Sequence, residues 1–236
     1  MSFYEFMPLA EEGVAEAQYN IGLIYSQGKE IPQDDKEAVR WYRLAAEQGF
    51  AEAQSNLGLM YGKGQGIEQD YNKSIKWYRL AAEQGLAQAQ HNLGVMYARG
   101  RGVERDYLDA IKWFKLSAKQ GYAQAQYNLG LMHHRGEGIP SDEKAAIKWY
   151  QLAAEQGIHG AQSNLGLMHE RGQGVEQSYV EAHKWFNIAG TNGNETGRRN
   201  ADILEKRMTP GQIIFAIGLA QEWAKKFKQA KPHCNS

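Results

Sequence analysis

The sequence has almost no cysteine, no long apolar run and no excess charge of either sign. Cys234 is the only cysteine in 236 residues, so no internal disulfide can form, which fits a reducing compartment. The longest apolar stretch, around residues 213–217, is far shorter than the roughly 18 residues of a membrane-spanning helix. The 27 basic and 27 acidic residues cancel, which argues against nucleic acid as a partner. A membrane span and an internal disulfide are therefore excluded.

The first residues also lack the features of a secretory signal. Met1 to Pro8 contains neither a basic segment nor an apolar one. We therefore expect a cytoplasmic protein on the sequence as given, or a periplasmic or secreted one if a signal peptide has been removed.

What the sequence has in abundance is repetition, with a period of 36 residues. A fixed period of this length predicts a stacked-repeat architecture, in which each unit buries its apolar face against its neighbours. Residues that recur in every copy mostly build such a stack, whereas residues that differ between copies are where a partner can be recognised. Glutamine and tryptophan each return once per copy, at Gln18, Gln54, Gln90, Gln126 and Gln162, and at Trp41, Trp77, Trp113, Trp149 and Trp185.

Each copy predicts two helices. In the first copy, apolar or small residues recur with helical spacing over residues 15–27 and again over 35–48. Glycine inside a helix costs about 1 kcal/mol relative to alanine, so the recurrence of Gly22 indicates a close approach of two helices. Gly49 follows the second helix, where a left-handed residue ends a helix at low cost.

The loop and the start of the second helix carry signals of their own. Glycines open the loop, and the later copies have a second glycine two residues on, where the first copy has Glu30. Glu37 and Glu181 are expected to complete capping boxes in the first and fifth copies. One column suits helix capping: Asp34, Asp70, Asp106, Asp142 and Ser178.

These motifs resemble the Sel-one-like repeat (SLR) family, a relative of the tetratricopeptide repeat with a longer loop between its two helices. The matching string is A-x-A-Q-x-N-L-G-x-M-Y-x-x-G-x-G, followed by A-(I/V)-K-W-Y-x-x-A-A-x-Q-G. It recurs in five copies, at residues 15–50, 51–86, 87–122, 123–158 and 159–194. The resemblance implies an all-α fold, a right-handed α/α superhelix that is a solenoid of two-helix repeats.

Both ends of the chain predict caps for the stack, since terminal helices with one polar face cover its exposed core. Residues 1–14 match the tail of a second helix and form a half-repeat, while 195–230 are expected to form capping helices and 231–236 a tail. Thr209, Pro210 and Gln212 predict a capping box. The helix after it has one apolar side: Ile213, Ala216, Ile217, Ala220, Trp223, Ala224 and Phe227.

Several motifs hint at chemistry, and each has a plainer interpretation. The loop glycines lack the third glycine and the lysine of a phosphate-binding loop, which leaves a tight turn. Ser26-x-x-Lys29 and Ser141-x-x-Lys144 match a motif of penicillin-binding enzymes, but the partner motifs S-D-N and K-T-G are missing. A weak hydrolase of the penicillin-binding or β-lactamase kind is the alternative to a non-enzymatic protein. Helical-repeat RNA binding is a second alternative, against which the zero net charge weighs.

Neither a metal nor a cofactor is expected. His133, His134 and His169 offer no third ligand at suitable spacing, and two of them replace a tyrosine of the other copies at a half-buried position. The tryptophans are expected to lie in the core between neighbouring repeats.

In tetratricopeptide-like stacks the first helices line a concave groove, and the resemblance implies the same here. An asparagine column can hold a peptide backbone or keep repeats in register: Asn20, Asn56, Asn92, Asn128 and Asn164. A variable column beside it would supply specificity: Tyr19, Ser55, His91, Tyr127 and Ser163. A mostly basic column would bind an acidic segment, or is simply solvated at a helix C-terminus: Gln27, Lys63, Arg99, Arg135 and Arg171.

From these patterns we predict a protein–protein interaction module with no chemistry of its own. It would act as an adaptor or scaffold and bind a protein or peptide, with an acidic segment as one candidate, on the concave face. The sequence leaves the partner and the oligomeric state open.

Overall fold

A computed structural model describes residues 2–191 and 193–230, which form thirteen α-helices and no strand. The predicted tail, 231–236, and its Cys234 lie outside the described residues. The helices are α1 (Phe3–Glu11), α2 (Ala15–Gln27), α3 (Asp35–Glu47), α4 (Ala51–Lys63), α5 (Tyr71–Glu83), α6 (Ala87–Arg99), α7 (Tyr107–Lys119), α8 (Ala123–Arg135), α9 (Glu143–Glu155), α10 (His159–Arg171), α11 (Tyr179–Thr191), α12 (Glu195–Glu205) and α13 (Pro210–Ala230).

The chain divides into two compact units, Met1–Tyr122 and Ala123–Ser236, at a boundary between repeats. Unit 1 contains α1 to α7, and unit 2 contains α8 to α13. Within each unit, the two helices of a repeat pack against each other, and a first helix also packs against the second helix that precedes it in the same unit. Each unit is therefore a stack of two-helix repeats, and the predicted fold class of an all-α repeat solenoid is confirmed.

Glycines and a capping aspartate set the ends of the helices. Gly28 takes the left-handed conformation, with φ of 64°, and ends α2. Asp34 caps α3, because its carboxylate accepts the backbone N–H groups of residues 36 and 37 at 2.9 and 3.1 Å. After α3, Gly49 is left-handed again, and the N–H groups of Gly49 and Phe50 return to carbonyls in the last turn. The two predicted helices of the first copy therefore end where the pattern placed them.

The predicted capping boxes of Glu37 and Glu181 are wrong. In a capping box, the glutamate side chain accepts the backbone N–H of the capping residue. Here that N–H is already used: Asp34 donates to the carbonyl of Tyr25, and Ser178 donates to that of His169. The two glutamates instead pair with a basic residue one turn along the helix, at 3.1 Å for Glu37 and 2.9 Å for Glu181.

The glycine inside each first helix brings the two helices of a repeat together, as predicted. A Cβ atom on Gly22 would lie 2.6 Å from the ring of Tyr42, and one on Gly94 would lie 2.7 Å from Phe114. The second loop glycine instead allows close contact with the preceding repeat. A Cβ atom on Gly174 would lie 2.7 Å from the backbone of Glu143, in the second helix of the preceding repeat.

Glu30 replaces that second glycine in the first repeat, and its side chain has a contact of its own. Its carboxylate accepts the backbone N–H of Phe3, in the first turn of α1, at 2.8 Å. Helix α1 then packs Ala10 against Ala17, Ile21 and Trp41. The first repeat therefore uses a side chain where later repeats use close backbone approach.

Within each unit, hydrogen-bonded glutamines connect a repeat to the one before it. Gln54 donates to the carbonyl of Ala46 in the preceding repeat at 3.1 Å, and its own carbonyl accepts Gln84 of the same repeat at 2.8 Å. The tryptophans also bridge repeats, as predicted: Trp77 of α5 packs against the core formed by α3 and α4. Recurring Gln and Trp positions thus hold the stack together.

Helices α12 and α13 complete unit 2. Buried residues of α12, including Leu204, pack with Phe186 of α11. The predicted capping box opens α13, because the backbone N–H of Thr209 donates to the Gln212 side chain at 2.9 Å and that of Gln212 donates to the Thr209 hydroxyl at 3.3 Å. Trp223 of α13 lies edge-on to Trp185 of α11, with ring centroids 6.4 Å apart.

Candidate functional site

The asparagine column lies where neighbouring repeats meet. Asn56 bonds to the hydroxyl of Tyr42 in the preceding repeat and partly offsets the rise that burial causes in the pKa of Tyr42. Asn164 lies near the hydroxyl of Tyr150, which is buried and makes no hydrogen bond within the described residues. Asn20, in the first repeat, donates to a backbone carbonyl of its own helix at 2.8 Å. All five members, including Asn92 and Asn128, are half-buried. The Asn56 contact crosses between repeats, as a role in register would require, whereas the Asn20 contact stays within one helix. Both the register role and peptide binding by the column stay predictions.

The variable column fills space within each repeat. The ring of Tyr19 lies 5.1 Å from that of Phe50, and the ring of His91 lies 5.2 Å from that of Tyr122. Ser55 is buried, and burial lowers the pKa of His91, so this imidazole is neutral at pH 7. The remaining members, Tyr127 and Ser163, are half-buried. In the first and third repeats the column therefore packs against an aromatic residue at the end of the same repeat, and its role in specificity stays a prediction.

The basic column occupies the last residue of each first helix, and every member is exposed: Gln27, Lys63, Arg99, Arg135 and Arg171. A helix C-terminus favours cations, so the basic residues of this column can be explained without a binding partner. Arg135 lies 3.7 Å from Glu137. Lys63 also borders a cleft.

That cleft, of about 180 Å³, opens in unit 1 between α4, α5 and α6. It brings Lys63 of the basic column together with Asn92 of the asparagine column, although the two belong to neighbouring repeats. A second cation, Arg101, lies on the same rim. We call this the junction cleft, and its lining consists of Leu59, Gly62, Lys63, Tyr71, Ser74, Tyr78, Asn92, Val95, Met96 and Arg101.

The polar groups of the junction cleft suit a carboxylate. Burial raises the pKa of Tyr78 well above its ordinary value, so its hydroxyl stays neutral and can donate a hydrogen bond. The Arg101 guanidinium lies 5.5 Å from the ring centre of Tyr71, within the range of a cation–π interaction. The side-chain oxygen of Asn92 lies 3.2 Å from Nδ1 of His91. Two cations, an amide and a hydroxyl are the groups that bind an acidic side chain.

Two residues that differ between copies shape the junction cleft. Gly62 stands where the first repeat has Ser26, whose hydroxyl lies 3.1 Å from the hydroxyl of Tyr42. Because Gly62 has no side chain, the hydroxyl of Tyr78 has no such serine hydroxyl beside it. Sequence reasoning missed Gly62 and Arg101, although the signal was present: Arg101 stands where the other copies have Lys29, Gln65, Glu137 and Gln173.

The serines of the alternative hydrolase hypothesis have structural hydrogen bonds. Ser26 donates to the carbonyl of Leu23 at 2.9 Å, and Ser141 donates to that of His134 at 3.1 Å. Among the residues that the structure describes, no group of three or more His, Cys, Asp or Glu side chains is arranged to hold a metal ion. Within the same residues, no helix is both long enough and apolar enough to cross a membrane.

Comparison with known families finds five matches to the Sel1 repeat, at residues 15–50, 51–86, 87–122, 123–158 and 159–194. The matched windows cover most of the chain. A comparison with curated proteins found no significant match.

Several solved structures are similar. A protective antigen of uropathogenic Escherichia coli with an SLR fold is 36% identical, with a TM-score of 0.90 over 99% of this chain and 52% of that one. A Sel1 repeat protein from Oxalobacter formigenes is 35% identical, with a TM-score of 0.79 over 86% of this chain and 58% of that one. An immunity protein from Pseudomonas aeruginosa, 20% identical with a TM-score of 0.53 over 90% of this chain and 83% of that one, shares the fold alone. The chain spans a little over half the length of the first two.

Proposed function

This chain belongs to the Sel1 repeat family, and from that membership we propose that it is an adaptor or scaffold that binds an acidic segment of a partner protein. Its fold supports a protein-interaction module in general, because stacked helical repeats present extended surfaces to other proteins. The finer proposal places the binding surface on the first helices of unit 1. The interaction needs no chemistry from the chain itself.

The observation that carries this proposal is the junction cleft. Its lining combines two exposed cations, Lys63 and Arg101, with the half-buried Asn92 and the buried Tyr78. Arginine binds a carboxylate with two parallel hydrogen bonds, and lysine adds a point charge. A glutamate or aspartate side chain of the partner would enter the cleft, and the neighbouring exposed Arg99 would attract further acidic residues.

A fluorescent twelve-residue Glu-rich peptide tests the proposal against a Gln-rich peptide of equal length. We expect the Glu-rich peptide to bind, and its affinity to fall at least tenfold in the double variant Lys63→Glu, Arg101→Glu. Affinity should also fall as NaCl rises from about 0.05 M to about 0.5 M, because exposed ion pairs are screened. Fluorescence anisotropy measures all three effects.

The matched control is Lys29→Glu with Lys36→Glu, which makes the same charge change at two exposed positions outside the cleft. This control should retain at least half of the wild-type affinity. Equal loss in both double variants would mean that net charge alone drives binding, and the cleft proposal would be wrong.

A further inference from the structure

The second helices of unit 1 carry an exposed row of leucines, one on each helix. Leu44 of α3, Leu80 of α5 and Leu116 of α7 are spaced 36 residues apart and are 37%, 38% and 39% exposed. A single exposed leucine is ordinary on a protein surface, but here a partly exposed leucine recurs at the same position on all three second helices of unit 1. We call these three residues the leucine row. It lies on different helices from those that carry Lys63 and Asn92.

Unit 2 contains the same position in both states, exposed at Leu152 of α9 (44%) and covered on α11. Ile188 of α11 occupies the place of the leucines and is only 1% exposed. The element that covers α11, beyond those found in the other repeats, is α13. Ala220 and Trp223 of α13 belong to the same core as Ile188 and Trp185. An amphipathic helix therefore already occupies this position once within the molecule.

The contacts of α13 indicate what kind of helix fits. Its small residues Ala216 and Ala220 are buried, and its aromatic rings Trp223 and Phe227 stack 4.7 Å apart. Phe227 also covers Gly157, where a Cβ atom would lie 2.8 Å from its ring. Small residues allow close approach of the helix axis, and the aromatic rings fill the space beside the row.

A cleft of about 230 Å³ on α5 offers the matching position in unit 1. Its lining is Ile75, Lys76, Arg79 and Leu80. Leu80 is the counterpart of Ile188, which α13 buries. The cleft is large enough to take one bulky side chain, as the corresponding surface of α11 takes Trp223.

Charge distinguishes the leucine row from the surface that α13 covers. Each leucine has exposed cations one and four positions before it: Arg40 and Arg43, Lys76 and Arg79, Lys112 and Lys115. On α11 the same two positions hold Lys184, which pairs with Glu181 at 2.9 Å, and the neutral Asn187. The exposed Lys225 and Lys226 make α13 itself basic, so a second copy of it would be repelled from the row.

We propose that the leucine row of unit 1 docks an acidic amphipathic helix of a partner protein, as α13 docks on α11. This is a second docking surface, separate from the junction cleft and independent of the function proposed for that cleft.

The probe is a synthetic peptide of residues 210–230 that carries Lys225→Glu and Lys226→Glu, and its matched control is the same peptide with the native lysines. We expect the acidic peptide to bind the full chain, and the native peptide to bind at least tenfold more weakly. The double variant Leu80→Gln, Leu116→Gln should lose at least tenfold in affinity for the acidic peptide. Both leucines are exposed, and circular dichroism checks that the variant keeps its helices.

Three outcomes would overturn the proposal: no binding of the acidic peptide, equal binding to the leucine variant, or equal binding of the native peptide, which would make a second copy the occupant. The variant Lys63→Glu, Arg101→Glu separates the two surfaces. It should bind the acidic helix peptide as the wild type does. Loss of binding there would place the peptide in the junction cleft and also contradict the leucine-row proposal.

Discussion

Gly130 shows at the residue scale how a missing side chain sets the distance between two helices. It lies in α8 against Tyr150 of α9, and a Cβ atom at this position would be 2.5 Å from the tyrosine ring. Burial raises the pKa of Tyr150 well above its ordinary value, which reflects how closely the ring is enclosed. The helix tolerates the low propensity of glycine because the close approach buries this ring.

Gly130→Ala should therefore destabilise unit 2, although alanine is the better helix former. Overpacking costs about 1–3 kcal/mol, which exceeds the gain of about 1 kcal/mol in propensity. Gly218→Ala in α13 is the control, since a Cβ atom there meets nothing within 4 Å. Urea denaturation should give a lower midpoint for the first variant and an equal or higher one for the second. A Gly130→Ala protein as stable as the wild type would contradict the packing argument.

At the scale of the element, α13 buries a surface that the other repeats leave open. The sequence predicted its capping box and its apolar side, and both are found because a helix start and a 3.6-residue period are local features. The sequence did not predict that α13 would lie on α11, because that depends on contacts with residues 30 or more positions away. The effect of that docking is seen at Ile188, whose side chain is only 1% exposed.

Trp223→Ala should uncover Trp185 and Ile188 and lower the free energy of unfolding by about 2 kcal/mol, since full burial of such a ring is worth about 3–5 kcal/mol. Phe215→Ala, also in α13 but 62% exposed, should change it by at most about 0.5 kcal/mol. Chemical denaturation followed by tryptophan fluorescence measures both variants. Equal effects would show that α13 does not dock through its aromatic side.

At the scale of the whole molecule, each repeat depends on its immediate neighbours within the same unit. The bonds that cross a junction recur in register: Gln54 reaches the carbonyl of Ala46, and Gln90 reaches that of Ala82, both at 3.1 Å. Removing one complete repeat therefore brings equivalent partners together. Stability in such arrays is approximately a sum over repeats and their interfaces.

Deletion of residues 51–86 should thus leave a folded protein, with unchanged helical signal per residue at 222 nm and a lower unfolding midpoint. Gln90 would then donate to Ala46 in place of Ala82. Deletion of residues 51–68 is the control, because it removes α4 and leaves α5 without its first-helix partner. We expect this shorter deletion to abolish cooperative unfolding of unit 1, and an equally cooperative transition in both proteins would contradict nearest-neighbour stacking.

The sequence by itself determined the repeat, the helix ends and the family, because the period, the capping residues and the glycines act within a few positions along the chain. It misassigned the capping boxes of Glu37 and Glu181, since the N–H group of each capping residue is taken by a carbonyl nine residues earlier. Only the tertiary structure decided which variable residues meet. Lys63, Asn92 and Arg101 share a cleft because stacking brings together residues of successive repeats, and Leu80 stays exposed while Ile188 is buried because α13 folds back over only one of them.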